Sequence, residues 1–63
     1  MPFVQIFMLE GRTEAQKKAV IEKVTVAICE AVDAPARNVR VWIQEVPASQ
    51  WGIGGVPASD LGR

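Results

Sequence analysis

The stretch PFVQIFMLEGRTEAQ, residues 2–16, decides the fold, because a strand ends and a helix begins within it. Residues 2–9 are a mostly apolar run of strand-forming side chains, and residues 10–12 end it. Thr13 can cap the helix that follows, while the side chain of Gln16 reaches back to complete a capping box. We therefore predict a strand over residues 2–9, buried on both faces, and a helix directly after Thr13.

The predicted helix is amphipathic, because its apolar residues recur every three or four positions from Val20 onward and most of its charged residues fall elsewhere. It should end near Val32 or Asp33, since Pro35 disfavours helical geometry in the residue before it.

Residues 39–46 return to strand chemistry, with two faces of different character. One face carries Val39, Val41 and Ile43, and the other carries Arg40, Trp42, Gln44 and Val46. We assign the aliphatic face to the helix, so the other face needs a cover. Strand, helix and strand in this order predict an α/β fold, a β-α-β unit with parallel strands and a right-handed crossover.

The rest of the chain is short. Residues 47–50 are predicted to form a turn, and the glycine-rich residues 51–55 a short hairpin or loop. Residues 56–63 are expected to be an irregular arm. We predict a single domain over residues 1–63.

Composition indicates that the domain does not stand alone. Chains of 63 residues rarely build a self-sufficient core. Cys29 is the single cysteine and histidine is absent, so neither an internal disulfide nor a Cys/His zinc site is available. Oligomerisation is the expected remedy.

Charge and hydropathy exclude several partners. The net charge is zero, which argues against nucleic acid and against a polybasic membrane patch. No apolar run approaches the roughly 18 residues that a membrane span requires, and no signal peptide is recognisable. A cytoplasmic location is expected, with Cys29 as a packed thiol.

Pro2 is the first candidate for chemistry. Methionine before a small residue such as proline is ordinarily removed, and removal of Met1 would expose a secondary amine. Such groups titrate at roughly 7.7–8.0, and an apolar site or neighbouring cations lower the pKa further. Pro2 would then be a neutral base in a chain without histidine or tyrosine. The alternative is that the Met-Pro start has no catalytic role.

Arginines and one tryptophan are further candidates. Arg12 lies in the strand-to-helix loop, where it is either a substrate ligand or a solvated side chain. Arg40 interrupts an apolar strand and needs an anion, either a substrate or the carboxylate of Glu10 or Glu45. Trp51 precedes a glycine run and is either a pocket wall or a core residue.

The ordered set of these motifs resembles the 4-oxalocrotonate tautomerase family over nearly the whole chain. The motifs are Pro2, Leu9-Glu10-Gly11-Arg12-Thr13, Gln16-Lys17, Asp33-Ala34-Pro35, Val39-Arg40-Val41 and Gly52-Ile53-Gly54-Gly55. The resemblance implies β-α-β subunits that pair into dimers, and three dimers that form a homohexamer with active sites shared between subunits. It also implies ketonisation of 2-hydroxymuconate, a dicarboxylate from aromatic catabolism, without cofactor or metal.

The same resemblance assigns roles to particular residues. Pro2 nitrogen would take the 2-hydroxyl proton, and Arg12 would hold the distal carboxylate. Arg40 would hold the near carboxylate and stabilise charge on the 2-oxo oxygen, and the backbone N–H of Leu9 would add a donor. Trp51 stands where the family usually has phenylalanine.

Two alternatives remain open at this point. One is a promiscuous tautomerase of phenylpyruvate-like 2-oxo acids, and the other is a non-catalytic oligomeric binding module whose Met1 is retained. Ile53 stands where related dehalogenating hydratases carry an acid, so hydration is not expected.

Overall fold

A computed structural model describes residues 1–63. Its elements, in chain order, are β1 (Phe3–Leu9), α1 (Glu14–Val32), a 3-10 helix (Ala36–Asn38), β2 (Arg40–Val46), a second 3-10 helix (Ala48–Gln50), β3 (Gly52–Ile53), β4 (Val56–Pro57) and a third 3-10 helix (Ala58–Leu61). No helix is both long and apolar enough to cross a membrane.

The two long strands form a parallel sheet, as predicted. Phe3 is paired with Arg40 at one end, and Leu9 with Val46 at the other. We call these the amino end and the carboxyl end of the sheet. Because α1 joins the carboxyl end of β1 to the amino end of β2, it runs antiparallel to both strands.

The helix begins and ends where the sequence predicts. Gln16 N–H donates to Thr13 Oγ1 at 3.1 Å, and Thr13 N–H donates to Gln16 Oε1 at 3.0 Å, which completes the capping box. Asp33 caps the other end in the left-handed conformation, with φ of 55°. The turn into Pro35 follows from this conformation.

The sheet has one covered face and one open face. Side chains of β1 and β2 alternate between half-buried and exposed, and the half-buried ones include Val41 and Ile43 on the side of α1. On the open face Phe3, Phe7 and Trp42 are 51, 59 and 50% exposed. The prediction that β1 is buried on both faces is therefore wrong for a single protomer, because one helix covers only one face of a sheet.

The C-terminal segment is more ordered than predicted. β3 and β4 form an antiparallel hairpin through Gly54 and Gly55, whose φ values of 60° and 86° suit the tight turn. The hairpin prediction is confirmed, but the expected irregular arm over residues 56–63 is wrong. Ala58 is completely buried, and its N–H donates to the carbonyl of Trp51 at 2.7 Å, which folds this segment back.

The protomer has almost no core of its own. Only Val39 and Ala58 are buried. The radius of gyration is 14.5 Å, whereas a compact chain of this length has about 11 Å. The accessible surface is 4709 Å², whereas a compact monomer of this mass exposes about 4000 Å². The fold therefore depends on surfaces supplied from outside the protomer.

Candidate active site

The amino end of the sheet holds two of the predicted site residues, Pro2 and Arg40. Pro2 is half-buried, and its carbonyl accepts a hydrogen bond from Arg40 N–H at 3.0 Å. Met1 is present, and its amino group donates to the carbonyl of Asn38 at 2.7 Å. In this form Pro2 nitrogen is an amide, and no lone pair is available for proton transfer.

The guanidinium group of Arg40 forms no ion pair. Its Nη1 donates to the carbonyl of Arg37 at 2.8 Å, and neither Glu10 nor Glu45, the two candidate partners, pairs with it. Glu45 accepts instead from Lys17. Since a guanidinium has five N–H donors, most of those on Arg40 remain available to an anion.

The carboxyl end of the sheet holds the other three predicted residues in one cleft. Leu9, Arg12 and Trp51 line it together with Arg63, and its volume is about 540 Å³. Glu10 N–H donates to the carbonyl of Val46 at 3.0 Å, which is the last hydrogen bond of the sheet at this end. The next residue, Gly11, has φ of 121°, a conformation that favours glycine and turns the chain toward Arg12.

Backbone hydrogen bonds fix the position of Trp51 in this cleft. Its N–H donates to the carbonyl of Ala48 at 3.4 Å, and its carbonyl accepts from the N–H of Ala58 at 2.7 Å. Trp51 is half-buried, and it lines the same cleft as Arg12.

An ion-pair network ties the start of α1 to the carboxyl end of β2. Lys17 Nζ lies 2.7 Å from Glu14 Oε1 and 3.0 Å from Glu45 Oε1. The hydrogen bond from Lys17 lowers the pKa of Glu14, and the hydrogen bonds to Glu14 and Glu45 raise the pKa of Lys17. This network borders the loop that carries Arg12.

Sequence reasoning missed Arg63, Asn38 and the bond between Lys17 and Glu45. Lys17 and Glu45 are 28 positions apart, so no local pattern announces their contact. The spacing of Glu14 and Lys17 at three positions on one helix is the one signal that was available.

The five predicted site residues therefore fall into two groups on one protomer. Pro2 lies at the amino end and Arg12 beyond the carboxyl end, and the six residue steps of β1 span about 20 Å. One small molecule cannot contact Pro2 nitrogen and the Arg12 guanidinium of the same chain. A complete site would have to bring together ends of different protomers.

Comparison with known proteins agrees with this fold. A family model described as tautomerase enzyme matches residues 2–61. The chain is 71% identical to a 2-hydroxymuconate tautomerase of Pseudomonas putida and 70% identical to one of Comamonas testosteroni, over 63 residues and the whole of both chains in each case.

Solved structures give the same result. A 4-oxalocrotonate tautomerase isozyme from Methylibium petroleiphilum superposes with a TM-score of 0.95 at 68% identity, over 98% of this chain and 100% of the other. A heterohexameric 4-oxalocrotonate tautomerase from Chloroflexus aurantiacus gives 0.93 at 39% identity, over 97% and 98%. The fold and these matches define an isomerase that interconverts keto and enol forms. The chain belongs to the tautomerase family.

Proposed function

We propose that this protein catalyses the ketonisation of 2-hydroxymuconate to 2-oxo-3-hexenedioate. The observation that carries the proposal is identity of about 70% over the full length to two 2-hydroxymuconate tautomerases. The available cations of Arg12 and Arg40 suit a substrate with two carboxylates. A cytoplasmic role in the breakdown of aromatic compounds is part of this proposal.

Pro2 nitrogen, once Met1 is removed, acts as the proton carrier. It takes the proton of the 2-hydroxyl group, which leaves a dienolate whose negative charge is shared among the 2-oxygen, C3 and C5. The resulting ammonium then delivers a proton to C5, and the 2-oxo product forms. One proton leaves and one proton returns, so the amine is regenerated in each turnover.

The other four residues bind the substrate and stabilise the charge that develops on it. Arg40 contacts the near carboxylate and the 2-oxygen, where one preorganised donor is worth roughly 2.7–4 kcal/mol. Arg12 holds the distal carboxylate, and Trp51 forms a wall that excludes water. Because N–H groups alternate along a strand and Glu10 N–H points to β2, Leu9 N–H points to the outer edge of β1 and is available to the substrate.

The proposal requires assembly of several protomers, and we expect a homohexamer built as three dimers. The amino end of one protomer would meet the carboxyl-end cleft of a neighbour, which brings Pro2 and Arg12 to one substrate. The exposed Phe3, Phe7 and Trp42 and the unpaired outer edges of both strands support such contacts.

The decisive experiment compares the chain with and without Met1. Protein that retains Met1, verified by intact mass, should convert 2-hydroxymuconate at least about 100-fold more slowly, because an amide nitrogen is not a base. Treatment with purified methionine aminopeptidase should restore turnover in proportion to the mass shift. Equal activity before and after treatment would contradict the proposal and would favour the non-catalytic binding module.

A second comparison tests whether the preferred substrate carries two carboxylates or one. Arg12→Ala should raise KM for the diacid about tenfold or more, since it removes a charged hydrogen-bonding partner. The same variant should leave turnover of phenylpyruvate enol, a monoacid, nearly unchanged. Wild-type protein that prefers the monoacid would instead identify the alternative, a tautomerase of phenylpyruvate-like 2-oxo acids.

A further inference from the structure

One polar group at the amino end has no role in the mechanism above: the backbone carbonyl of Asn38. Met1 nitrogen donates to it at 2.7 Å. Next to it, Arg40 N–H donates to the carbonyl of Pro2 at 3.0 Å. These two hydrogen bonds lie at the start of the parallel pairing of β1 and β2.

The geometry of a parallel pair predicts what Asn38 does in the mature chain. A residue whose carbonyl accepts from one partner residue donates its own N–H to the carbonyl two positions earlier on that partner. For Pro2 the first partner is Arg40, so the second is Asn38. Proline within a chain has no N–H to donate, and here the amine of Met1 takes the acceptor.

We propose that, after removal of Met1, the carbonyl of Asn38 accepts a hydrogen bond from the amine of Pro2 and so positions the proton carrier. The inference rests on the proposed function of Pro2 as the base. Asn38 is a positioning residue in this scheme, because it acts on the substrate only through Pro2.

The hydrogen bond leaves a single direction open for proton transfer. The protonated amine has two N–H bonds, of which one is held by Asn38 and the other faces the substrate. When the second proton is transferred to the substrate, the first stays bonded to nitrogen and donates to the Asn38 carbonyl, and the lone pair occupies the vacated direction. The amine therefore accepts and delivers its proton along one line.

The same bond tunes the pKa of Pro2. A carbonyl acceptor favours the charged amine and raises its pKa, whereas nearby cations lower it. The cations at this end are Arg37 and Arg40, and the acids are Glu30 and Asp33 at the end of α1. Asn38 thus offsets part of the lowering that the arginines produce.

The carbonyl can be altered by chemical synthesis, because Cys29 allows ligation of segments 2–28 and 29–63. One variant carries a thioamide at Asn38, and a second carries an ester between Asn38 and Val39. Both weaken the acceptor. With ¹⁵N at Pro2 alone, we expect its pKa by NMR to fall by about 0.5–1 unit in both. The acid limb of kcat/KM should move to lower pH by the same amount.

Two controls isolate the carbonyl. The thioamide keeps the Val39 N–H, which donates to the carbonyl of Ala36 at 3.0 Å, whereas the ester removes it. A shift in the pKa of Pro2 that both variants share therefore cannot come from loss of the hydrogen bond between Val39 and Ala36. Asn38→Ala keeps the backbone acceptor and should leave the pKa unchanged.

If the pKa of Pro2 is unchanged in both backbone variants, the inference is overturned. It is also overturned if Asn38→Ala lowers the pKa of Pro2 by the same amount as the backbone variants. The titration is measured without substrate, so it stays distinct from a failure of the proposed activity. If the synthetic wild-type chain does not convert 2-hydroxymuconate, the proposed function fails, whatever the value of the pKa.

Discussion

The two ends of the sheet are built in different ways. At the carboxyl end, the capping box, the Lys17 ion pairs and the folded C-terminal segment fix Leu9, Arg12 and Trp51 in one cleft. At the amino end, Pro2 is held by the hydrogen bond from Arg40 N–H to its carbonyl. The carboxyl-end cleft is formed within a single chain, whereas the proposed function requires removal of Met1 and contact with a partner at the amino end.

This difference separates binding from proton transfer. Groups that hold an anion must be preorganised, and contacts within the chain can achieve that. In the proposed function the proton carrier is a free amine, which removal of Met1 would create. Under that proposal the binding groups and the reactive group lie at opposite ends of one strand.

Arg40→Ala tests the amino end and should have the largest effect. We expect kcat to fall by roughly 100–1000-fold, because a donor to the developing oxyanion is lost. Arg37→Ala is the matched control, since the hydrogen bond between Arg40 and Arg37 uses the backbone carbonyl of Arg37, and that group remains. A kcat that stays at the wild-type level in Arg40→Ala, or that falls as far in Arg37→Ala, would remove Arg40 from the mechanism.

Mixed oligomers test whether the two ends meet across protomers. A chain that retains Met1 and a mature Arg12→Ala chain are each weak at low substrate concentration. Refolding them together should recover roughly a quarter of wild-type activity, because random assembly pairs an intact Pro2 with an intact Arg12 at that frequency. Incubation of the two preformed oligomers without unfolding is the control. No recovery after co-refolding would place both groups on one protomer.

The carboxyl end should respond to loss of its helix cap. Thr13→Ala removes the acceptor of Gln16 N–H, and we expect the free energy of unfolding to fall by about 1 kcal/mol. KM should rise modestly because Arg12 adjoins the cap. Denaturant unfolding at a fixed protein concentration measures the change.

Thr25→Ala is the control for Thr13→Ala. Its hydroxyl donates back to the carbonyl of Ile21 at 2.7 Å within the helix, where alanine is tolerated. An equal loss of stability in both variants would show that the cap has no special role.

The Lys17 network should have the smallest effect, because Glu14 is 94% exposed while the Lys17 and Glu45 side chains are 18 and 32% exposed. The pKa of Glu14 is lowered, so its ionised form stabilises the fold at pH values above the usual pKa of 4.5. The pKa of Lys17 is raised, so its charged form stabilises the fold at pH values below the usual pKa of 10.5. Lys17→Met should lower Tm between these limits. The difference from wild type should shrink as the pH falls below 4.5. A Tm difference that does not change with pH would mean that Lys17 acts through packing alone.

Local chemistry made much of the fold predictable. Thr13 and Gln16 are three positions apart, so the capping box follows from the sequence. Pro35 likewise predicts the end of α1. The alternation of residues 39–46 correctly separated an aliphatic face from one with Trp42. The residue types and their positions made Pro2, Arg12 and Arg40 candidates, and the resemblance to tautomerases assigned their roles, which remain predictions.

Contacts between distant residues were not predictable in this way. Glu45 was a candidate partner for Arg40, yet it pairs with Lys17, because β2 alternates and places Glu45 on the side of the helix. The arm over residues 56–63 was expected to be irregular, since nothing local shows that Ala58 packs against the segment containing Trp51.

By itself the sequence determined the order of the two long strands and the helix, the limits of that helix and the candidate groups, because capping, alternation and proline act over a few neighbouring residues. Only the tertiary structure decided that Pro2 and Arg12 stand at opposite ends of one sheet and that the carbonyl of Asn38 lies beside the start of β1, 2.7 Å from the Met1 amine. Parallel pairing sets both relations, since it joins residues more than thirty positions apart and separates residues that are close in the chain.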